Sequence, residues 1–275
     1  MKLGYIDYLN CYPYYYLMLE KETPAYIEVV PGYPSTLNQM IKKGELDMSP
    51  ISSGAYPDLQ DDVIILPEFS LSSIGYVRSV ILISKIPIEL LEKKLVGLSN
   101  ASKTSVVLLK ILLKKYYNIS PKYIPTEPFP TLDNIDAALI IGNEAMLEMR
   151  EPIPYTYDLG DLWLKKTGYP VVFAIFAVNK KSLKKHAASI DRALESFRES
   201  LKNLQTNREE LIKNARQRYP KISFNIDSYY NLLKYEFTDD LLKALKFYLS
   251  EADKLDLLKK IKSFNMFYRN SASNK

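Results

Sequence analysis

Four short polar segments of this sequence each follow a run of residues with the pattern of a β-strand. They span residues 8–13, 49–54, 99–105 and 141–144. Open α/β sheets bind ligands at the carboxyl ends of their strands, so these segments are the first candidates for a binding site. The side chains in them that could contact a ligand are Asn10, Ser52, Ser53, Ser102, Thr104, Ser105, Asn143 and Glu144.

These segments lead into predicted helices, and the first N–H groups of a helix lack intrahelical partners and carry a partial positive charge. Helix N-termini of this kind bind carboxylates and phosphates. The chain is predicted to fold into two lobes, with segment 49–54 in one and segment 99–105 in the other. Together the two segments therefore predict a cleft for a ligand with two acidic groups. The alternative is that their polar side chains only cap their own helices.

The motifs of the common cofactor and covalent enzymes are absent from the sequence. Its nine glycines form neither a G-x-G-x-x-G nor a G-x-x-x-x-G-K pattern, which excludes the usual nucleotide cradles. The single histidine, His186, is expected on the surface, and the single cysteine, Cys11, can form no internal disulfide. There is also no Cys/His cluster for zinc, so we expect neither a cofactor nor a metal.

Composition and charge are those of an ordinary globular protein. The 275 residues are 47% hydrophobic and 25% charged, with a formal net charge of +5. The basic residues are scattered, which argues against nucleic-acid binding, while a mild positive field suits an acidic small molecule. Because the N-terminus lacks an apolar signal region and no apolar run is long enough to span a bilayer, we expect a cytoplasmic protein without a membrane partner. We expect the protein to be either a monomer or a homodimer.

Short apolar runs alternate with segments of helical period, which is typical of βα units around mainly parallel sheets. Strands are predicted at 3–6, 26–30, 47–50, 64–66, 79–84, 95–98, 123–125, 137–141 and 171–178, and helices at 14–20, 35–43, 102–116, 144–149 and 160–167. From 182 to 264 nearly everything is predicted helical, with Asp227 and Thr238 as N-caps. The polar end at 270–275 is expected to fray.

Two of the strands could pass between two α/β units. Residues 80–83 would enter the second unit and residues 173–178 would leave it. The predicted architecture is therefore α/β with two lobes, each a mainly parallel sheet flanked by helices. Residues 1–84 plus 178–275 form the first lobe, with the helical C-terminal segment, and residues 85–177 form the second. The alternative is one continuous doubly wound sheet.

Read in order, the polar segments and their neighbours resemble a known family, the chorismate dehydratases of the futalosine route to menaquinone. The stretches that carry the resemblance are 8–13 (YLNCYP), 32–38, 44–53 (GELDMSPISS), 77–80, 102–105 (SKTS), 141–145 (IGNEA) and 157–170 (YDLGDLWLKKTGYP). The resemblance implies the two-lobed fold of type II periplasmic binding proteins. It also implies loss of water from chorismate, a dianion, to give the aromatic 3-[(1-carboxyvinyl)oxy]benzoate without a cofactor.

The resemblance suggests roles for the candidate residues. Asn10 would touch the reacting part of the ring and Glu144 is a candidate catalytic carboxylate, while Asn143 joins the substrate-binding residues. The hydroxyl side chains would bind the carboxylates, and these are Ser52, Ser53, Ser102, Thr104 and Ser105, with Ser79 at the first crossing. Three groups remain candidates for the catalytic base: the substrate's own enolpyruvyl carboxylate, Glu144 and Asp158. Both protein carboxylates also fit positions at the start of a helix.

Two other functions fit the same sequence. The dihydroxynaphthoate synthase of the same pathway shares the fold, but it opens with a different motif and is thought to use a histidine in the second lobe, where this sequence has none. The other is a non-enzymatic binding protein for a small anionic solute, because a two-lobed clamp serves both purposes.

Overall fold

A computed structural model describes residues 1–149 and 152–267 of the chain. The expected fraying at 270–275 lies outside the described residues. The strands are β1 (Lys2–Ile6), β2 (Glu28–Gly32), β3 (Met48–Ser52), β4 (Val63–Ser73), β5 (Val80–Ser84), β6 (Leu95–Ser99), β7 (Lys122–Thr126), β8 (Ala137–Ile141), β9 (Tyr155–Asp158), β10 (Val171–Asn179) and β11 (Leu233–Glu236).

The α-helices lie between and after these strands. They are α1 (Tyr12–Glu20), α2 (Pro34–Lys43), α3 (Tyr56–Leu59), α4 (Lys103–Ile111), α5 (Leu159–Thr167), α6 (Ser182–Lys185), α7 (Ala187–Thr206), α8 (Arg208–Arg218), α9 (Ile226–Leu232) and α10 (Asp239–Lys254). None of these helices is long and apolar enough to cross a bilayer. Local chemistry explains the ends of α2, for example: the helix begins at Pro34 and ends at Lys43, just before Gly44, whose φ of 75° suits a glycine after a helix.

The first sheet has six strands in the order β11-β4-β10-β3-β1-β2. Strands β2, β1 and β3 are parallel, and β10 runs antiparallel between β3 and β4. Every residue of β10 is buried, which fits its nearly continuous apolar sequence and its central place.

The second sheet has five strands in the order β7-β6-β8-β5-β9. Strands β7, β6 and β8 are parallel, while β5 runs antiparallel to its neighbours β8 and β9. Alternate residues of β5 face different cores: Val80 and Leu82 join the main core, and Ile81 and Ile83 join a smaller one on the other face. The architecture is thus α/β with two sheets, as the sequence predicted, but each sheet is mixed rather than mainly parallel, because β10 and β5 run antiparallel to their neighbours.

Several predicted elements differ in the structure. The short strands β9 and β11 were missed, because each is held by pairing with a strand distant in sequence, β5 and β4 respectively. The predicted helix at 144–149 is a single 3-10 turn, Glu144–Met146. Thr238 is an N-cap as expected, but Asn225, rather than Asp227, caps α9, because its side chain accepts the Ser228 N–H. Helical structure ends at Lys254 rather than near residue 264.

The segments that connect the two sheets are not the strands that were expected to connect the lobes. Strand β5 belongs to the second sheet and β10 belongs to the first, so the chain passes between sheets at 74–79 and 168–170. Helix α10 also contacts the second unit, where its Phe247 and Tyr248 pack on Trp163 of α5 at 5.9 and 6.0 Å between ring centroids. The two-lobed division remains a proposal, with its boundaries moved to these crossings.

Candidate active site

A cavity of about 470 Å³ of free space, measured out to its open mouth, lies where strand ends of both sheets meet. The residues that line it carry amide, hydroxyl and apolar side chains and no charge. They are Ile6, Tyr8, Asn10, Pro34, Ser52, Leu71, Val77, Ser79, Val80, Ser102, Ser105, Ile141, Gly142, Phe173, Ala174 and Leu233.

Three of the lining side chains, those of Tyr8, Asn10 and Ser52, have buried polar atoms without a hydrogen-bond partner in the described chain, and Asn10 and Ser52 are the two that were predicted in the site. Asn10 follows β1 and is 8% exposed, and its Oδ1 is unpartnered. Ser52 ends β3; its N–H donates to Asn38 Oδ1 at 3.0 Å, but its Oγ is buried and unpartnered. A buried polar atom left unpaired costs about 1–3 kcal/mol, so both atoms are well suited to bind a ligand.

The N-terminus of α4 forms another part of the wall. Ser102 caps the helix, and its Oγ accepts hydrogen bonds from the Ser105 N–H at 3.4 Å and the Ser105 Oγ at 3.3 Å. Both serines line the cavity. The first N–H groups of α4 therefore lie beside the cavity with the partial positive charge that favours an anion.

Ser79 is held in place by a residue that the sequence analysis missed. The Tyr229 hydroxyl of α9 donates to Ser79 Oγ at 2.7 Å, and Ser79 Oγ lies 3.5 Å from the Val77 carbonyl. Burial raises the pKa of Tyr229, while Ser79 and Asn10 act in the opposite direction. Tyr229 lies in the C-terminal helical region, whose apolar periodicity gives no sign that one tyrosine reaches the cavity wall.

Thr104 and Ser53 were predicted in the site but do not line the cavity. Thr104 Oγ1 donates to the Phe173 carbonyl at 2.9 Å and accepts the Gly54 N–H at 3.0 Å, so its hydroxyl joins α4 to the first sheet. Ser53 is fully buried, and its Oγ has no partner in the described residues. A side chain on Gly54 would lie only 3.2 Å from the Thr104 Cα, which shows how closely the two units approach.

Asp158 also lies outside the cavity lining, as the N-cap of α5. Its carboxylate accepts the N–H groups of Gly160 and Asp161, at 3.0 and 3.1 Å. It also accepts those of Val77, at 3.1 Å, and Arg78, at 2.6 Å, in the first crossing. Burial raises the pKa of Asp158, and these backbone donors oppose the shift. The geometry matches the helix-cap alternative.

Asn143 and Glu144 lie beside a second, outer pocket, which Tyr8 separates from the cavity. This pocket is lined by Asp7, Tyr8, Pro31, Gly32, Tyr33, Asn143 and Glu144. Asn143 Oδ1 accepts the Leu9 N–H at 2.8 Å, so its amide joins the two units. Glu144 Oε2 is buried without a partner in the described chain, and burial raises the pKa of Glu144.

His186, which was expected on the surface, is half-buried and does not line the cavity. It follows α6, and its Nε2 lies 3.6 Å from Asp47 Oδ1. No group of three or more metal-ligating side chains occurs in the ranges 1–149 and 152–267. Of the ten predicted site residues, the cavity brings together five: Asn10, Ser52, Ser79, Ser102 and Ser105.

Known proteins share sequence with this chain over most of its length. A model of a family described as menaquinone biosynthesis matches residues 1–254. The curated chorismate dehydratase of Thermus thermophilus is 32% identical over 198 residues, which is 66% of this chain and 70% of that protein. The 1,4-dihydroxy-6-naphtoate synthase of the same organism is 25% identical over 150 residues, 54% of each protein.

Solved structures share the fold at lower identity. A protein from Archaeoglobus fulgidus superposes with a TM-score of 0.74 at 19% identity, over 94% of this chain and 98% of its own. The periplasmic aliphatic sulphonate binding protein of Escherichia coli superposes with a TM-score of 0.70 at 15% identity, over 100% of this chain and 94% of its own. The chain therefore has the predicted periplasmic-binding-protein-like fold, and it belongs to the menaquinone biosynthesis family.

Proposed function

We propose that this protein is a chorismate dehydratase, a lyase that removes water from chorismate to give 3-[(1-carboxyvinyl)oxy]benzoate. The observation that carries the proposal is the cavity wall, where the unpartnered Asn10 Oδ1 and Ser52 Oγ face the same space as the N-terminus of α4. The 32% identical dehydratase supports the same reaction. In this proposal the protein acts in the cytoplasm on a small anion.

Binding of a dianion in a cavity without cationic side chains requires other donors. The Ser102 and Ser105 hydroxyls and the first N–H groups of α4 supply them for one carboxylate. The Ser52 hydroxyl, from the first sheet, supplies one for the other. Preorganised dipoles in a site that excludes water stabilise charge more strongly than the same groups in water.

The reaction breaks the C3–H and C4–O bonds of the ring, and aromatisation drives it. No carboxylate of the described chain lines the cavity, since Asp158 is bound to backbone N–H groups and Glu144 lies behind Tyr8. This arrangement favours the substrate's enolpyruvyl carboxylate as the acceptor of the C3 proton, which the resulting carboxylic acid then delivers to the departing C4 hydroxyl so that water leaves. The Asn10 amide then orients the ring and its departing C4 hydroxyl, so that catalysis is mainly positioning.

The test is a spectroscopic assay of the purified chain with chorismate and no added cofactor. We expect steady loss of the ultraviolet absorption of the diene, and a product that has lost one water by mass spectrometry. Asn10→Ala should lower kcat by about 100-fold or more, because an aligning group is lost in the transition state. Tight binding of chorismate without conversion would instead identify a binding protein and overturn the proposal.

A further inference from the structure

Tyr8 forms the wall between the cavity and the outer pocket, and it was not among the predicted site residues. It lines both spaces and is only 5% exposed. Its hydroxyl is buried and has no hydrogen-bond partner within the described chain. Since an unpaired buried hydroxyl is unfavourable, this phenol is suited to a ligand contact.

Residues of the second unit fix the position of the Tyr8 ring. Gly142 follows β8 with a φ of 65°, and a Cβ built there would lie 2.3 Å from the Tyr8 Cζ. The ring therefore packs directly on the Gly142 backbone, in the space that the Cβ of any residue other than glycine would occupy. On its other side Tyr8 meets the Tyr33 ring edge to face, with 6.0 Å between centroids.

Glu144 lies behind Tyr8, on the side away from the cavity. Tyr33 donates to Glu144 Oε1 at 3.5 Å, and Oε2 is buried without a partner in the described residues. Burial, followed by the charge of Glu144, raises the pKa of Tyr8. Burial raises the pKa of Glu144 above its ordinary value, and the Tyr33 and Tyr8 hydroxyls offset only part of this shift. The phenol and the carboxylate thus influence each other electrostatically across the outer pocket that both line, without a hydrogen bond between them in the described chain.

We propose, on the basis of the dehydratase function above, that Tyr8 contacts the C4 hydroxyl of the substrate and that Glu144 is a positioning residue acting through Tyr8. When the substrate binds, the Tyr8 O–H rotates to donate to the Glu144 carboxylate, which leaves a phenol lone pair facing the cavity. That lone pair accepts the hydrogen of the substrate's C4 hydroxyl, and no proton is transferred. The contact exists for chorismate and not for its product, because the product has lost this hydroxyl.

The experiment compares substrate and product in Tyr8→Phe, which keeps the ring on Gly142. We expect kcat/KM for chorismate to fall about 10-fold, the effect of one lost hydrogen bond, while the inhibition constant of 3-[(1-carboxyvinyl)oxy]benzoate stays unchanged. Glu144→Ala should reproduce this pattern, Glu144→Gln should restore most of the activity because it keeps an acceptor oxygen, and Glu144→Ala should add nothing to Tyr8→Phe.

Matched controls lie outside both pockets. Tyr155→Phe removes the hydroxyl of an exposed tyrosine on β9, and Glu148→Ala removes an exposed carboxylate near Glu144 in sequence. Both should behave as the wild type.

Each other outcome contradicts a defined part of the proposal. Wild-type kinetics in Tyr8→Phe overturn the contact, and equal losses for substrate and product show that Tyr8 only shapes the cavity. Additive effects of Tyr8→Phe and Glu144→Ala overturn the positioning role of Glu144. If the wild-type chain leaves chorismate unconverted, the dehydratase function itself fails, which is seen before any variant is made.

Discussion

Ser52 and Ser53 are adjacent serines that are almost fully buried, and both have an unpartnered Oγ in the described chain. Only Ser52 lines the cavity. Its position at the end of β3 places the side chain beside the ligand space, while Ser53 begins the 3-10 turn Ser53–Ala55. Serine therefore has a different structural role at the two positions.

Ser52→Ala should separate binding from stability. We expect the affinity for chorismate to fall about 10-fold, since a hydrogen bond to the anion is lost. The free energy of unfolding should stay equal or rise, because the substitution removes an unpaired buried hydroxyl. Isothermal titration in an Asn10→Ala background, where turnover is slow, and urea unfolding measure the two quantities.

The matched variant is Ser53→Ala. It also removes an unpaired buried hydroxyl, but it should leave chorismate affinity unchanged, because this hydroxyl lies off the cavity wall. A loss of affinity in Ser53→Ala equal to that in Ser52→Ala would contradict the assignment of Ser52.

At the scale of elements, the turns after strands hold the two units together around the cavity. The turn after β8 brings Gly142 against Tyr8 and Asn143 onto the Leu9 N–H. The junction of β9 and α5 places Asp158 on the backbone of the first crossing, on Val77 and Arg78. These junctions connect residues far apart in sequence, so a change in one of them alters the contact between units.

Gly142→Ala should destabilise the protein by about 1–3 kcal/mol more than Gly44→Ala. Both glycines have positive φ angles, 65° and 75°, so both alanines carry the backbone strain. An added Cβ meets the Tyr8 ring at residue 142 and nothing within 4 Å at residue 44. Chemical denaturation of the two variants isolates the Tyr8 contact, and equal losses of stability would show that the ring moves aside freely.

At the scale of the whole molecule, side-chain contacts join the two sheets and their helices both near α10 and near Tyr8. Thr104 bonds to both Gly54 and Phe173, the Tyr248 hydroxyl donates to the Thr104 carbonyl at 3.0 Å, and Lys103 pairs with Asp58. Near Tyr8 the contacts are the Leu9–Asn143 hydrogen bond, the Tyr33–Glu144 contact and the Tyr8 ring.

Thr104→Val should lower the free energy of unfolding by about 1–3 kcal/mol, because it leaves the buried Gly54 N–H without an acceptor at nearly constant shape. Thr126→Val is the control: the Thr126 Oγ1 is buried without a partner in the described chain, so its loss should be neutral or stabilising. Urea unfolding of both variants measures the difference. Equal stability of the two would contradict the role of Thr104 as a connection between the units.

The sequence by itself determined most of the local elements and marked the polar strand ends as candidates for a site. Apolar periodicity, Pro34 and Gly44 around α2, and Thr238 before α10 are local signals, and the structure confirms the elements they mark. The polar segments after strands also contain Asn10 and Ser52, which line the cavity, and their roles toward a ligand stay predictions. The local elements were predictable because helix capping and strand patterning depend on residues a few positions apart.

Only the tertiary structure decided which polar side chains face the cavity. Thr104 is occupied by a backbone group 50 residues away and Asp158 by one 81 residues away, and Glu144 is separated from the cavity by Tyr8. Strand β11 exists through pairing with β4. Hydrogen-bond partners at such separations depend on how the whole chain packs, and no local pattern in the sequence records them.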